Sequence, residues 1–403
     1  MMTDMSRQPL AGLRILDLST LIAAPMASTL LADFGAEVVK VELPGVADPL
    51  RELPPHKDGA PLWWKVTNRN KRGITLDVRK PDGHALLCRM APKFDVLVEN
   101  FRPGTLERYG LSPEFLHSLN PGLIILRLTG YGQTGPLSKQ PGFARIAEAF
   151  SGFTNLCGDA DRPPQHAGFP VADAVGGLFG ALSILIACQR RNSDPDRPGE
   201  VIDLSLFEGM FRLLEFLPIE YQQLGVVRQR SGTRSQYAGP SGVYLTRDQR
   251  WFSMSTSSQS VFERLAAAIG RRDLLEDERF ATNPARVRNA DELDQTISAW
   301  FSRHTLAEVA SIFEQYGVSG GLVNTIEDIF NSEHFKAREA IVHLEDRQLG
   351  SVAMTNVCPK MAISPGHVRS VGPDHGEHTR AVLSELLGID DEEIDRLYAL
   401  DVL

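Results

Sequence analysis

Residues 14–42 read RILDLSTLIAAPMASTLLADFGAEVVKVE and set the pattern for the first half of the chain. Residues 14–18 and 38–42 are short, mainly aliphatic runs, which are typical of strands. Residues 25–34 lie between them and are predicted to form a helix, because proline suits a first helical turn and the glycine that follows suits a C-terminal cap. This order predicts a strand–helix–strand unit with parallel strands.

The same alternation continues along the chain. We predict further strands at residues 74–77, 95–100, 123–128 and 199–206, and helices at residues 84–90, 173–190 and 207–223. Strands that alternate with helices indicate a parallel sheet covered on both faces, so the predicted fold class is α/β. The first unit lacks a GxGxxG motif, and the sequence therefore gives no fingerprint for a dinucleotide cofactor.

The chain is long enough for more than one domain. Its 403 residues exceed what a single hydrophobic core usually supports, and the character of the sequence changes near residue 226. Beyond that point, antiparallel strands are predicted around a turn at residues 246–249, followed by charge-rich helical sequence. We predict a large domain over residues 1–225, a smaller domain over 226–330, and a C-terminal segment, 331–403, that returns to the large domain.

The charge balance of the chain limits its ligands. Lysine and arginine number 42, and aspartate and glutamate number 51, which gives a net charge of −9. Nucleic-acid binding usually needs a dominant basic field, so this balance argues against it. A small anionic ligand needs only a local cluster of cations, and the composition leaves that possibility open.

Cysteine usage and apolar patterning indicate a cytoplasmic protein without membrane association. The four cysteines are far apart and form no CxxC motif, which is typical of reduced thiols and not of a disulfide framework or zinc site. The opening residues, MMTDMSRQPL, lack the apolar core of a signal peptide. The longest apolar run, residues 174–188, has 15 residues. A membrane span needs about 20, so we predict a buried helix there.

Several ordered motifs extend over most of the chain. In the first half these are PLAGLRILDL (residues 9–18), LADFGAEVVKVELP (31–44), NKRGITLD (70–77), DVLVENFRPG (95–104) and GYGQTGP (130–136). They are followed by PVAD (170–173), RFATN (279–283) and RVRN (286–289). Together these segments resemble the class III CoA-transferase family, which includes formyl-CoA and carnitine CoA transferases and the related acyl-CoA racemases.

The resemblance implies a large domain with a six-stranded parallel, Rossmann-like sheet, a smaller α+β domain, and a homodimer of two interlocked rings. It also implies an enzyme that transfers CoA between an acyl-CoA thioester and a free carboxylic acid. CoA is then a substrate, and neither a tightly bound cofactor nor a metal ion is expected. The expected partners are an acyl-CoA, a small carboxylic acid and a second copy of the chain.

The resemblance makes Asp173 the catalytic residue. A carboxylate can attack the carbonyl of a thioester and form a covalent intermediate, which divides a difficult exchange into easier steps. The residue types alone favour a simpler role, because an Asp directly before an apolar helix is typical of an N-cap. The two roles are compatible, since the positive end of the helix dipole is expected to keep the carboxylate ionised. Gly130, Gly132 and Gly135 are candidates to offer backbone N–H groups to an oxyanion.

CoA carries a diphosphate and a 3′-phosphate, so cationic side chains are expected around it. Lys71, Arg72 and Arg102 are candidates, and Arg in particular suits bidentate phosphate contact. A solvated surface charge is the alternative role for each of them. The resemblance places further CoA contacts at Ala23, Leu76, Asn100, Phe101 and Arg108.

Two alternatives to CoA transfer stay open. A racemase needs an acid/base pair, and that branch carries Gly-His-Asp where this chain has Gly142-Phe-Ala-Arg145. Phe143 cannot accept a proton, which argues against racemisation. The other alternative is a non-catalytic acyl-CoA-binding protein in which Asp173 only caps its helix. The acid is not predicted, although Ile22 replaces the Gln of the formyl-CoA branch and residues 235–242 lack its glycine run.

Overall fold

The computed structural model describes residues 8–256 and 258–403. Residues 1–7, most of the stretch in which the sequence shows no signal-peptide core, lie outside the described residues. The strands are β1 (Arg14–Asp17), β2 (Glu37–Glu42), β3 (His56–Lys57), β4 (Ala60–Pro61), β5 (Lys71–Thr75), β6 (Val96–Glu99), β7 (Ile124–Thr129), β8 (Glu200–Ser205), β9 (Ser241–Leu245), β10 (Trp251–Ser255), β11 (Gly320–Leu322), β12 (Ile341–Asp346) and β13 (Gly350–Thr355).

The α-helices alternate with these strands in the first half of the chain and cluster after β10. They are α1 (Ala23–Ala32), α2 (Leu62–Thr67), α3 (Pro81–Met90), α4 (Thr105–Arg108), α5 (Pro113–Leu119), α6 (Ala144–Phe150), α7 (Phe153–Leu156), α8 (Val171–Ser193), α9 (Leu206–Arg212), α10 (Leu217–Leu224), α11 (Gln259–Ala268), α12 (Asn283–Arg288), α13 (Ala290–Phe301), α14 (Leu306–Tyr316), α15 (Ile326–Asn331), α16 (Glu333–Ala337), α17 (Thr379–Leu387) and α18 (Asp391–Ala399). Short 3-10 helices cover Pro49–Arg51, Ala91–Lys93 and Arg272–Leu275.

Six strands form one sheet in the order β5-β2-β1-β6-β7-β8. Every neighbouring pair in it is parallel. Each of the six was predicted as a strand, with bounds that differ by one to three residues at most ends, so the α/β class and the parallel sheet are confirmed. The four inner strands could be predicted because strands that are buried on both faces of a sheet are largely apolar.

The two faces of the sheet support separate hydrophobic clusters. Ile15 and Leu16 are consecutive and both fully buried, yet they belong to different clusters, as side chains of a strand alternate between faces. The Leu16 cluster includes apolar side chains of α3, α5, α17 and α18. The Ile15 cluster includes those of α1, α6, α8 and α9. Both faces are therefore covered by helices.

Helix α8 packs unusually close to α1, and glycine makes this possible. A Cβ atom at Gly180 would lie 2.9 Å from Ala27 Cβ, and one at Gly177 would lie 2.8 Å from Met26 Cγ. By length and composition alone, α8 is long and apolar enough to cross a membrane. Its inner side packs on α1, β7 and β8, which is the behaviour of a core helix. The buried helix predicted over residues 173–190 is thus confirmed and extends to Val171–Ser193.

The connectivity of the sheet creates a crevice. β1 lies at the centre between β2 and β6, and the chain proceeds outward to one edge first and then to the other. The loops that leave β1 and β6 therefore diverge at the carboxyl ends of the strands. Ligands of open α/β sheets bind at such a topological switch point.

The chain divides into two compact units. The larger comprises Met1–Phe153, Ala167–Ile219 and Lys336–Leu403, and the smaller comprises Thr154–His166 and Glu220–Phe335. The predicted ranges placed residues 154–166 in the large domain. The difference has a local cause, because the Gly232 N–H donates to Gly158 O at 2.9 Å and ties this segment to the chain that follows α10.

The smaller unit combines a three-stranded antiparallel sheet, ordered β11-β10-β9, with surrounding helices. Its core is aromatic: the rings of Phe252, Phe301 and Phe313 lie with centroids 5.2–5.8 Å apart. The antiparallel pair predicted around residues 246–249 is present as β9 and β10.

Two parts of the larger unit differ from or add to the prediction. The single helix predicted over residues 207–223 is wrong, because α9 ends at Arg212 and Glu215 adopts a φ of +31° before α10 begins. In the C-terminal segment, α17 packs against β5 and the Asp77 N–H donates to Val402 O at 2.8 Å.

Candidate active site

A cavity of about 470 Å³ lies at the carboxyl ends of the central strands. Its walls come from the residues that follow four parallel strands, namely Thr20 after β1, Phe101 after β6, Gly130 after β7 and Leu206 after β8. Asp173 closes it from the first turn of α8. The volume suits a small organic group, and the position is the switch point expected from the topology.

Asp173 does not cap its helix. α8 begins at Val171, the N-cap position is Pro170, and no side chain accepts a hydrogen bond there. Asp173 is thus the third helical residue, and its side chain lines the cavity. The capping role considered from the sequence is wrong. Among the described residues that line this cavity, Asp173 is the one carboxylate and Arg102 is the one cation.

The environment of Asp173 disfavours its charge. Burial, together with the negative charge of Glu148, raises the pKa of Asp173 from the usual 3.8 to about 7. Desolvation and a neighbouring like charge thus oppose the helix dipole, which was expected to keep this carboxylate ionised. A carboxylate with a high pKa is a stronger nucleophile once it is deprotonated.

The loop after β1 is held rigidly at the mouth of the cavity. The Asn100 side chain accepts from the Thr20 N–H and donates to Thr20 O, both at 2.8 Å. The Leu21 N–H donates to Asp48 Oδ1 at 3.0 Å, and Leu21 adopts a φ of +65°, which is strained for a branched side chain. Asn100 thus positions the cavity wall that residues 20–23 form.

Lys71 lies in a fully buried charge network beneath this loop. Its ammonium donates to Asp17 Oδ2, Pro25 O and Asn68 Oδ1 at 2.8–2.9 Å, which uses all three donors. Burial lowers the pKa of Lys71 to about 8 against the opposing effect of Asp17. The structure therefore does not place Lys71 where a CoA phosphate could reach its ammonium, because a buried charge needs such partners to be tolerated.

A second cavity of about 250 Å³ adjoins the first and is mainly apolar. Thr20 and Phe101 line both cavities, so the two share part of a wall. Leu76, which follows β5, lines the second cavity, and Tyr109 meets Phe101 edge-on with ring centroids 6.1 Å apart. Arg79 adds a partly exposed guanidinium, paired with Asp77 at 2.7 Å.

The structure separates the predicted contacts into two groups. It brings Ala23, Asn100, Phe101, Arg102 and Asp173 into the first cavity and Leu76 into the second. Arg72 forms an ion pair with Glu385 at 2.7 Å, and the exposed Arg108 donates to Thr105 Oγ1 at 2.8 Å. Neither arginine lines a described cavity.

The lining residues that the sequence reasoning missed include Thr20, Arg79 and Tyr109. Tyr109 directly follows Arg108, but only the four-residue helix α4 turns its ring toward Phe101. No residue-type signal marks Thr20 or Arg79, since their positions depend on how the loops pack.

The glycine-rich loop shapes the first cavity through close backbone contact. A Cβ atom at Gly130 would lie 2.7 Å from Gly142 Cα, so both glycines allow two wall segments to meet. The Gly132 N–H donates to Thr129 Oγ1 at 2.9 Å and is already engaged. Of the three candidate oxyanion donors, Gly130 alone lines the cavity.

Comparison with known proteins decides the family. The sequence profile of CoA-transferase family III matches residues 10–379. The chain belongs to CoA-transferase family III. It is 41% identical to a succinyl-CoA–D-citramalate CoA-transferase of Chloroflexus aurantiacus, over 98% of this chain and 98% of that protein. It is 40% identical to the beta subunit of a succinyl-CoA–L-malate CoA-transferase of the same organism, again over 98% of both.

A solved structure supports the same assignment. A CAIB/BAIF family protein from Brucella suis is 31% identical and matches with a TM-score of 0.84, over 94% of this chain and 100% of that chain. The predicted family and the predicted enzyme class are confirmed. The transferase moves CoA between an acyl-CoA thioester and a carboxylic acid.

Gly142 and Phe143, which stand where the resemblance places Gly-His-Asp in racemases, line this cavity. Phe143 is 63% exposed, and Asp173 lines the same cavity. A phenyl ring cannot exchange a proton, so the cavity lining lacks the second acid/base group that racemisation needs. Across residues 8–256 and 258–403, no group of three or more His, Cys, Asp and Glu side chains could hold a metal ion.

Proposed function

We propose that the transferase carries the acyl group and then CoA covalently on Asp173. The observation that carries the proposal is that Asp173 is the one carboxylate among the described residues of a cavity at the sheet's switch point. The raised pKa of Asp173, about 7, supports a nucleophile that is ionised in part at neutral pH and is more basic than an ordinary carboxylate.

The exchange proceeds in two symmetrical halves. An Asp173 oxygen attacks the thioester carbonyl, the carbon–sulfur bond breaks, and CoA leaves as a thiolate with the electron pair. The thiolate attacks the Asp173 carbonyl carbon of the resulting anhydride, which forms an aspartyl-CoA thioester and releases the donor acid as a carboxylate. The acceptor carboxylate attacks this thioester, and the released thiolate then takes the acceptor acyl group from Asp173.

CoA extends across both cavities in this proposal. The apolar second cavity, with Leu76, Phe101 and Tyr109, suits the adenine ring, and the first cavity suits the thioester. Arg79 is the cation at the second cavity and can meet phosphate there. Arg108 remains a proposed contact on the strength of the family resemblance, and Lys71 is left out because its ammonium is saturated.

We further propose that the donor is succinyl-CoA and that the acceptor is a small hydroxy dicarboxylic acid. Both relatives named above use succinyl-CoA, with citramalate or malate as the second acid. Arg102, the one cation of the first cavity, suits the second carboxylate of such an acid better than a distant phosphate. Arg102→Ala is expected to raise KM for a dicarboxylic acid more than for its monocarboxylic analogue.

The test compares the wild type with Asp173→Ala and Asp173→Asn. Purified protein is incubated with succinyl-CoA and a panel of free acids, and new thioesters are identified by mass spectrometry. CoA binding is measured separately by calorimetry. We expect both variants to bind CoA and to lose transfer by at least about 1,000-fold, because a covalent carrier has no substitute. Full turnover in either variant would end the proposal.

We also propose that the transferase is a cytoplasmic homodimer. No disulfide joins any of the four cysteines, all of which lie within the described residues, and this fits a reducing compartment. Helix α8 exposes Leu178, Leu182 and Ile186, each more than half accessible, along one face. The family resemblance implies that a second copy of the chain covers this face and that the two copies form interlocked rings.

A further inference from the structure

A second carboxylate lies behind the nucleophile. Glu148, on α6, is only 1% exposed, and its Oε1 accepts from the Ala172 N–H at 3.2 Å. Ala172 directly precedes Asp173 in the first turn of α8. Helices α6 and α8 pack against each other, and Glu148 is not among the residues that line the cavity. Glu148 thus binds the backbone N–H next to Asp173 but does not line the cavity.

This arrangement has two physical consequences. The bond to Ala172 satisfies one of the N–H groups that every helix start leaves without an intrahelical partner, so it fixes the turn that carries the nucleophile. The charge of Glu148 repels that of Asp173 across a poorly solvated region, where Coulomb interactions are stronger than in water. When Asp173 becomes acylated, its negative charge leaves on the CoA thiolate and the repulsion disappears.

We propose that Glu148 is a positioning residue of the transfer reaction, which fixes the first turn of α8 through Ala172 and favours the uncharged covalent forms of Asp173 over its free carboxylate. The inference rests on the proposed covalent role of Asp173. It assigns to Glu148 a contribution to rate as well as to geometry, and the two can be measured separately.

The elements that pack against α6 and α8 carry other ionisable groups. α6 also carries Arg145, and α1 has no ionisable side chain. Those on the remaining elements packed against α6 or α8 are Glu208 and Arg212 of α9, Arg127 of β7, and Glu200 and Asp203 of β8. Arg127 pairs with Glu99, and Asp203 accepts from the Gln133 N–H. Glu148 is the charged neighbour that raises the pKa of Asp173.

Two substitutions separate charge from geometry. Glu148→Gln keeps an oxygen that can accept from the Ala172 N–H but removes the charge, whereas Glu148→Ala removes both. The probe is succinyl-CoA in single-turnover, rapid-quench experiments between pH 5 and pH 9, and the covalent adduct on Asp173 is quantified by mass spectrometry. Circular dichroism confirms that each variant is folded.

For the wild type, the acylation rate is expected to rise with pH through about 7, because the protonated carboxyl of Asp173 is not a nucleophile. For Glu148→Gln, the rise in acylation rate is expected at a pH lower by about one unit or more, since a neighbouring like charge has been removed. Its plateau is expected to fall by roughly threefold to tenfold, because a less basic carboxylate attacks more slowly. Glu148→Ala is expected to show the same shift and a larger loss of rate.

If the acylation rate of Glu148→Gln rose at the same pH as that of the wild type and reached the same maximum, the inference would be overturned. If that variant does not fold, Glu148→Asp replaces it. Because the charge is kept, the acylation rate is expected to rise with pH within about half a pH unit of the wild type. A rise near the ordinary pKa of Asp would overturn the inference. Failure of the proposed function is distinguishable, because the wild type would then show no adduct on Asp173 at any pH.

Discussion

Asp173 couples catalysis to stability at the scale of a single residue. Its pKa is raised from 3.8 to about 7 by burial and by Glu148, so the folded protein binds its proton more tightly than the unfolded chain does. The stability that this proton supplies is fully present below about pH 4 and is lost as the pH rises to about 7. The ionised nucleophile therefore costs free energy of folding at the pH where it reacts.

Asp173→Asn is expected to recover this cost, because an amide resembles the protonated carboxyl and does not ionise. We predict that the variant melts at a higher temperature than the wild type at pH 8 and that the difference shrinks toward pH 4. Thermal melts followed by circular dichroism at several pH values measure this. A difference that stays constant with pH would show that Asp173 titrates with an ordinary pKa.

Helix α8 is the element that places the nucleophile, and its position depends on close contact with α1. Gly180→Val is expected to destabilise the protein by about 1–3 kcal/mol, because its side chain would overlap Ala27 and Leu126 in a well-packed region. Gln189→Val is the matched control, since it adds the same residue at an exposed position of the same helix. Urea denaturation measures both, and an equal cost for the two would contradict the packing account.

Prediction from sequence succeeded for elements whose side chains repeat regularly. All six strands of the sheet were found because each predicted segment contains aliphatic or β-branched residues, even at the edges, where β5 (KRGIT) and β8 (EVIDLS) also carry charged residues. The helix predicted over residues 207–223 was wrong, and Pro218 was the signal against it, because proline disfavours a helix interior and suits the first turn of α10, which begins at Leu217. Lys71 was predicted to contact CoA because lysine side chains are usually exposed. Only the packing of the loops shows that Asp17 and Asn68 bind its ammonium.

At the scale of the whole molecule, the exposed face of α8 requires an explanation. Leu178, Leu182 and Ile186 are spaced four residues apart and are 57%, 51% and 61% exposed. Apolar side chains at this spacing form one stripe on a helix, and such stripes on a folded protein mark interaction sites. Periodicity alone could not reveal this, because the sequence of α8 is apolar on almost every side.

Leu182→Glu is expected to convert the proposed homodimer into a monomer, since a buried, unpaired carboxylate is costly at an interface. Ser384→Glu is the control, because it adds the same charge at an exposed position of α17, which packs on the other face of the sheet, and it is expected to leave the dimer intact. Light scattering after gel filtration gives the mass of each. A wild-type protein that is already monomeric, or a variant that remains a dimer, would contradict the proposed role of this face.

The covalent role of Asp173 is tested most directly by trapping. Wild-type protein is incubated with succinyl-CoA and hydroxylamine, which converts an aspartyl anhydride or thioester into a stable hydroxamate, and peptides are then sequenced by mass spectrometry. We predict a hydroxamate on Asp173, dependent on succinyl-CoA, together with loss of transfer activity. Loss of activity with the label on another residue, or turnover that leaves Asp173 unlabelled, would contradict the account.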